Sequence, residues 1–140
     1  MMTAKEYLRE YRRVTRRVNQ IDEEIQRLRA ERDSITVKAD GMPSGSGISD
    51  RVARLAVKIA DKETEYIARR EELLQMRTEV VETILAVADD KQSQLLYLRY
   101  IKGMKWEEIA DEMGYYLRHI HRIHGHALPA VQKIIDNFQK

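Results

Sequence analysis

The chain has 140 residues, of which 34% are charged, and its formal net charge is +2. It contains no cysteine, which excludes a disulfide framework and a Cys-based zinc site. Six Gly, two Pro and an aromatic content of 6% favour a helical protein over a β-sandwich. Because the sequence shows neither a signal peptide nor an apolar run of about 20 residues, we expect a cytoplasmic location and no membrane partner.

The N-terminal part of the chain has the repeat of a coiled coil. Apolar residues recur at alternating steps of four and three, and only Arg32 interrupts them. This pattern predicts a long helix that packs along one face against another helix. The residues of the series are Tyr7, Tyr11, Val14, Val18, Ile21, Ile25, Leu28 and Ile35.

A segment rich in Gly, Ser and Pro follows this helix. Such a segment cannot continue a helix, so we expect a loop over residues 39–49, with Ser49 as the N-cap of the next helix. The second helix is expected over about residues 50–88. Two long helices joined by a loop predict an antiparallel hairpin over residues 1–90. The seam of the second helix comprises Val52, Leu55, Ile59, Tyr66, Leu73, Met76, Val80 and Val87.

The second helix also carries a further apolar series. A wider apolar face needs more than one partner helix, and the middle of this face lies too far from the C-terminal module to be covered by it. The sequence therefore predicts a homodimer that forms through the helical hairpin. The further series consists of Ile67, Leu74, Val81 and Ile84.

Residues 91–140 contain three apolar helical segments with very short breaks between them. Gly103 ends the first segment and Gly114 the second. A tight turn that holds Gly between two short helices is typical of a helix-turn-helix, whose second helix we expect to begin at Tyr116 or Leu117. The apolar positions are Leu95, Leu96, Leu98, Ile101, Trp106, Ile109, Ala110, Met113, Leu117, Ile120, Ile123 and Ala127.

The distribution of charge agrees with a module that approaches DNA. Residues 41–90 carry a net charge of −3, whereas residues 91–140 carry +3 and all four histidines. No acidic residue occurs from Met113 to Ile135. The second helix of the motif is thus free of the negative charge that phosphates would repel.

The segment LLYLRYIKGMKWEEIADEMGYYLRHIHRIHGHAL, residues 95–128, resembles the fourth region of bacterial sigma factors, which reads the promoter −35 element. Over nearly its full length, from AKEYLREYRRV through DRVARLAVKI to HRIHGHAL, the chain resembles a family of short phage and prophage proteins of Gram-positive bacteria. That family is related to phage late-gene transcription regulators. The resemblance implies an all-α fold with a helical hairpin and a C-terminal helix-turn-helix.

The resemblance places the base-reading positions on Leu117, Arg118, His121 and Arg122. Arg suits guanine O6 and N7, and Leu suits the thymine methyl group. The sigma pattern has small polar caps where this chain has a Lys and a Tyr, so both helix starts are expected to lose about 1 kcal/mol. Phosphate contacts are expected from Lys102, Lys105, Tyr116, His119 and His126.

Two aromatic features of the module favour structural roles. His121 and His124 are three residues apart, but no thiol or carboxylate lies nearby in sequence, so we expect no metal or other cofactor. His124 faces the predicted core as a satisfied imidazole. Trp106, the one tryptophan, is predicted to be part of the core as well.

An arginine cluster lies outside the seam of the first helix. It either extends the phosphate-binding surface or pairs with acidic residues near residue 80, and pairing is the commoner use of such charges. The acidic candidates are Glu79, Glu82, Asp89 and Asp90. The cluster consists of Arg9, Arg12, Arg13, Arg16 and Arg17.

The sequence predicts a phage-type transcription regulator that binds double-stranded promoter DNA, with RNA polymerase as a further candidate partner. No catalytic arrangement is evident, so we expect neither an enzyme nor a small-molecule substrate. Two other interpretations stay open: a DNA-packaging adaptor like the small terminase subunits, and a coiled-coil interaction module without DNA binding.

Pro129 lies where the sigma helix continues. Proline lacks an N–H group and clashes with the carbonyl four residues earlier, here that of Gly125. We therefore expect the helix to stop or kink between Gly125 and Leu128. A separate last helix would then present Val131, Ile134, Ile135 and Phe138 on one face.

Overall fold

The computed structural model describes residues 2–39 and 46–138, and in this part of the chain helices are joined by short turns and no strand occurs. The all-α prediction is confirmed. Among the described residues, none of the helices combines the length and the hydrophobicity that a membrane span requires. The helices are α1 (Ala4–Ala39), α2 (Ser46–Leu85), α3 (Asp90–Leu96), α4 (Trp106–Met113) and α5 (Leu117–Phe138), and Tyr97–Ile101 continue α3 as a π-helical turn.

The chain forms two compact units, one of residues 15–72 and one of residues 1–14 together with 73–140. We call the second the C-terminal unit. Helices α1 and α2 each contribute residues to both units. A domain boundary at residue 90 stays a prediction.

In the unit of residues 15–72, α1 and α2 run antiparallel and pack through the predicted seam. Leu28 of α1 contacts Leu55 and Ile59 of α2. Nearer the start of α1, Arg17 lies 3.5 Å from Glu65, which is further along α2. This ion pair is partly exposed and adds little stability, so the buried heptad residues hold the two helices together. On α1 the buried residues are Val18, Ile21, Ile25 and Leu28.

The predicted loop over residues 39–49 is too long. Helix α1 extends to Ala39 and α2 already begins at Ser46, so Ser49 is inside the helix and is not its N-cap. Gly47 falls in the first turn of α2, where backbone N–H groups have no partner within the helix and a glycine costs little. Residues 40–45 lie outside the described residues.

The core of the C-terminal unit joins the start of α1, the end of α2 and the later helices. Leu8, rather than Tyr7, is fully buried on α1. Tyr7 is half-buried, and its hydroxyl lies 3.3 Å from that of Thr83, which is itself buried. The buried residues of this core are Ala4, Leu8, Tyr11, Val80, Ile84, Val87, Leu96, Tyr100, Ala127, Val131 and Ile135.

The further apolar series on α2 divides between this core and the surface. Ile84 is completely buried in the core, whereas Ile67 is 66% exposed and Leu74 is 48% exposed. The predicted need for a further partner helix therefore applies only to the exposed members of the series.

The prediction of a helix break near Pro129 is wrong. Helix α5 runs unbroken from Leu117 to Phe138, with Pro129 inside it. Packing explains this result, because Ala127 and Val131, on either side of the proline, are both fully buried in one core. The backbone N–H of Ala4 also donates to Oε1 of Gln132 at 2.7 Å. Phe138, predicted to pack, is exposed.

Pro129→Ala should stabilise the protein by about 1–2 kcal/mol. The side chain of Pro129 is exposed, so the substitution removes little packing and restores the helical hydrogen bond to Gly125. Part of the gain is offset because proline also restricts the unfolded chain. Urea unfolding measures the difference. Lys133→Ala, on an exposed residue one turn later, should change stability by less than about 0.5 kcal/mol. A Pro129→Ala protein no more stable than the wild type would contradict this expectation.

Candidate nucleic-acid interface

The turn between α4 and α5 has the geometry of a helix-turn-helix. Gly114 closes α4 in the left-handed conformation, with φ 71° and ψ 32°. The N–H of Tyr115 then donates to the carbonyl of Ala110 at 3.0 Å, which completes the C-cap. Helix α5 begins at Leu117, as predicted. A residue with a Cβ would be strained at Gly114, so this glycine sets the path of the chain.

Tyr115, in the same turn, is held from two sides. The ammonium group of Lys91 lies 5.3 Å from the centre of its ring. The ring of His119 meets it edge-on at 4.7 Å. These contacts fix the turn against α3 and against the first turn of α5.

A small core positions α4 and α5 relative to each other. Ile109 and Ala110 of α4 pack against Ile120 and Ile123 of α5, as the sequence predicted. The short side chain of Ala110 leaves room for the two helices to cross closely. Leu95 and Leu98 complete this core from α3 and the π-helical turn.

The start of α4 has a cap that the sequence did not suggest. Lys105 occupies the N-cap position, and its own side chain makes no capping bond. Instead, the carboxylate of Glu108 accepts a hydrogen bond from the backbone N–H of Lys105 at 3.3 Å. Glu107 and Glu108 also place negative charge in the first turn, where the helix dipole favours it. The predicted loss of a cap at this helix is therefore offset.

Trp106 lies at the centre of an aromatic and cationic cluster rather than deep in the core. It is half-buried, and the guanidinium carbon of Arg99 stands 4.2 Å from the centre of its ring. The rings of His121 and His124 lie 5.0 and 4.8 Å away. Arg99 also donates from Nη1 to the carbonyl of Met104 at 2.9 Å. Trp106 therefore links the π-helical turn, α4 and α5.

His124 is a satisfied core histidine, as predicted. Its Nε2 lies 2.8 Å from the hydroxyl of Tyr100, and the two rings stack. Burial of the ring, followed by the nearby charges of Arg99 and His121, lowers the pKa of His124 to about 4. The imidazole is thus neutral at physiological pH. No group of three potential metal-binding side chains comes together among the described residues.

The four predicted base-reading residues share the face of α5 opposite its core. Leu117, Arg118, His121 and Arg122 are all exposed, while Ile120 and Ile123 face inward. Of these four, His121 is the one that rests on Trp106, so its ring is held by α4.

Most of the predicted phosphate-binding residues are exposed as well. Lys102, Lys105, Tyr116 and His126 are exposed, and Tyr116 is the most open of them at 85%. His119 differs from the others, because it is half-buried against Tyr115.

The arginine cluster of α1 divides between the two units. In the C-terminal unit, the charge of Arg9 acts on Tyr100 and His124, and the charge of Arg12 acts on Tyr100 and Arg99. Arg13 pairs with Glu10 at 2.6 Å and Arg17 pairs with Glu65, and these partners differ from the four predicted acidic residues. Arg16, in the other unit, is exposed.

The low pKa of His124 should make the protein less stable in mild acid. In the unfolded chain the imidazole of His124 has its ordinary pKa near 6.5, so it binds a proton more tightly there than in the folded chain. The stability that the neutral His124 contributes is therefore fully present above pH 6.5 and is lost as the pH falls towards 4. Between pH 7.5 and 5 we expect a loss of about 2 kcal/mol in the free energy of unfolding.

Urea unfolding at several pH values measures this loss, and His124→Gln should remove most of it. His126→Gln, on an exposed residue of the same helix, is the matched control and should keep the wild-type dependence. The same pH dependence in all three proteins would contradict the role given to His124.

Comparison with known families bears on the helix-turn-helix as a whole. Residues 84–133, just over a third of the chain, match the family described as Sigma-70, region 4. The match begins at the buried Ile84 and covers α3, α4 and most of α5. Searches of curated proteins and of solved structures found no match. The chain therefore carries a helix-turn-helix like sigma region 4, a DNA-binding domain related to transcription.

Proposed function

We propose that this protein is a phage-type transcription regulator that binds promoter DNA through α5. One observation carries the proposal: α5 exposes Leu117, Arg118, His121 and Arg122 on the outer face of a helix-turn-helix that is similar to sigma region 4. No acidic residue occurs from Met113 to Ile135 to oppose an approach to phosphate.

In the proposed complex, the N-terminal half of α5 enters the major groove. Arg118 and Arg122 are four residues apart, so their guanidinium groups leave the same side of the helix. Each could bind O6 and N7 of a guanine, and Leu117 could contact a thymine methyl group. His121 would add a contact from a ring that Trp106 already orients.

Most of the phosphate contacts would come from residues that precede α4 and α5. Lys102 and Lys105 lie between the π-helical turn and α4, and Tyr116 precedes α5. His119 and His126 would contribute from α5 itself. Arg9 and Arg12 would extend this basic surface, because their charges already act on the Tyr100 and His124 pair below it. A contact with RNA polymerase is also part of the proposal and rests on the family match alone.

Selection of bound duplexes from a random DNA pool tests the proposal most directly. We expect enrichment of one sequence and binding that weakens steeply with salt. Failure to enrich any sequence, together with no salt-dependent binding to any duplex, would rule out the regulator. Stable rings in solution that bind DNA without sequence preference would favour the packaging adaptor instead.

Arg122→Ala should weaken binding to the selected sequence by about 1–3 kcal/mol and relax specificity at one base pair. Lys105→Ala should weaken binding to all sequences alike and reduce the slope against salt by about one. Titrations with the selected site and with single-base variants separate the two effects. Arg27→Ala, which removes an exposed arginine paired with Glu24 on α1, is the control and should bind normally. An equal loss on every sequence would make Arg122 a phosphate contact only.

A further inference from the structure

Helix α2 presents an apolar face to solvent within the C-terminal unit. Leu74 is 48% exposed, Leu85 is 67% exposed, and Val81 between them is half-buried. Thr78 completes the series, so successive members are four, three and four residues apart. This is the spacing of a coiled-coil seam. We call Leu74, Thr78, Val81 and Leu85 the outer face of α2.

The one polar member of the outer face is already satisfied. The hydroxyl of Thr78 donates to the carbonyl of Leu74 at 3.1 Å, within the same helix. Its methyl group is therefore free to pack, and burying this side chain would leave no donor without a partner. A partner helix can thus cover the outer face without burying an unsatisfied hydrogen-bonding group.

The surface of α2 is also hollowed in the way that coiled-coil packing requires. One surface depression is lined by Leu74, Arg77, Thr78, Val81 and Glu82. The first four are residues i, i+3, i+4 and i+7 of one helix. Four residues in this arrangement form the hole that accepts a side chain from a facing helix.

We propose that the outer face of α2 pairs with the same face of a second copy of this chain, with the two helices parallel. The charged residues beside the seam indicate both that the partner is a second copy and that the two helices are parallel. Arg77 and Glu82 flank the seam on opposite sides and are five residues apart. In a parallel pair, Arg77 of each copy faces Glu82 of the other, which gives two ion pairs. An antiparallel pair would not bring these two residues together.

Both flanking side chains are available for such pairing. Arg77 and Glu82 are exposed, and neither takes part in an ion pair within residues 2–39 and 46–138. The pairing deepens the proposed function and rests on it, because a parallel dimer would present two copies of α5 to two half-sites. The pairing itself does not depend on DNA binding, so the two can fail separately.

The mass of the full-length protein in solution tests the proposal, measured by sedimentation or light scattering over micromolar concentrations. We expect twice the chain mass of 16.5 kDa. Combined Leu74→Gln and Leu85→Gln substitutions should weaken dimerisation at least tenfold. Both residues are exposed, so the fold should survive, and circular dichroism checks this. Val37→Gln, on an exposed residue of α1, is the matched control and should remain dimeric.

Charge reversal tests the direction of pairing. Arg77→Glu and Glu82→Arg should each weaken the dimer, because each places like charges opposite one another. The double variant should restore dimerisation to near the wild-type level. The proposal would be overturned if the wild type were a monomer or a larger oligomer. It would also be overturned if the dimer tolerated both Leu substitutions, or if the double charge variant still dimerised weakly. A monomer that still binds the selected DNA would overturn this pairing and leave the regulator standing, and a dimer without DNA binding would do the reverse.

Discussion

The buried side of α5 is the constraint on which the C-terminal unit depends. Ile120 and Ile123 pack into the core shared with α3 and α4. Further along the same side, Val131 and Ile135 pack into the core that holds the start of α1 and the end of α2. One helix thus belongs to two cores, and its exposed side is fixed by what the buried side contacts. The orientation of Arg118 and Arg122 follows from this packing rather than from contacts of their own.

The same packing explains how α5 tolerates a proline. An interior proline costs a helix about 3 kcal/mol. Complete burial of a side chain such as Val131 or Ile135 is worth about 1.5–3 kcal/mol each, and both residues lie beyond the proline. A break at Pro129 would put that burial at risk. The penalty of the proline is therefore outweighed, and the helix follows the path that keeps both cores filled.

The sequence was sufficient for features whose cause is local or periodic, such as the heptad core of α1 and the turn at Gly114. It failed where tertiary contacts decide the outcome. The choice of Leu8 over Tyr7 at the start of α1 depends on what packs there, since both fit a helical repeat. The π-helical turn at Tyr97–Ile101 has no sequence signature of its own. On the candidate surface, the residue types were predictable, but the cluster around Trp106 required the fold, because Arg99 and His121 are far apart in sequence.

His124 connects the stability of the unit to the charge of its surface. Its pKa is low chiefly because the ring is buried, and then because Arg99, His121, Lys5 and Arg9 are close. Most of these groups are cations, and Arg9 belongs to the proposed phosphate-binding surface. Their positive potential is what a polyanion would neutralise. A bound phosphate backbone would weaken the repulsion that disfavours a charged His124, while burial of the ring would still hold it neutral near pH 7. Helix α5 can therefore lie in basic surroundings without acquiring a buried charge beneath it.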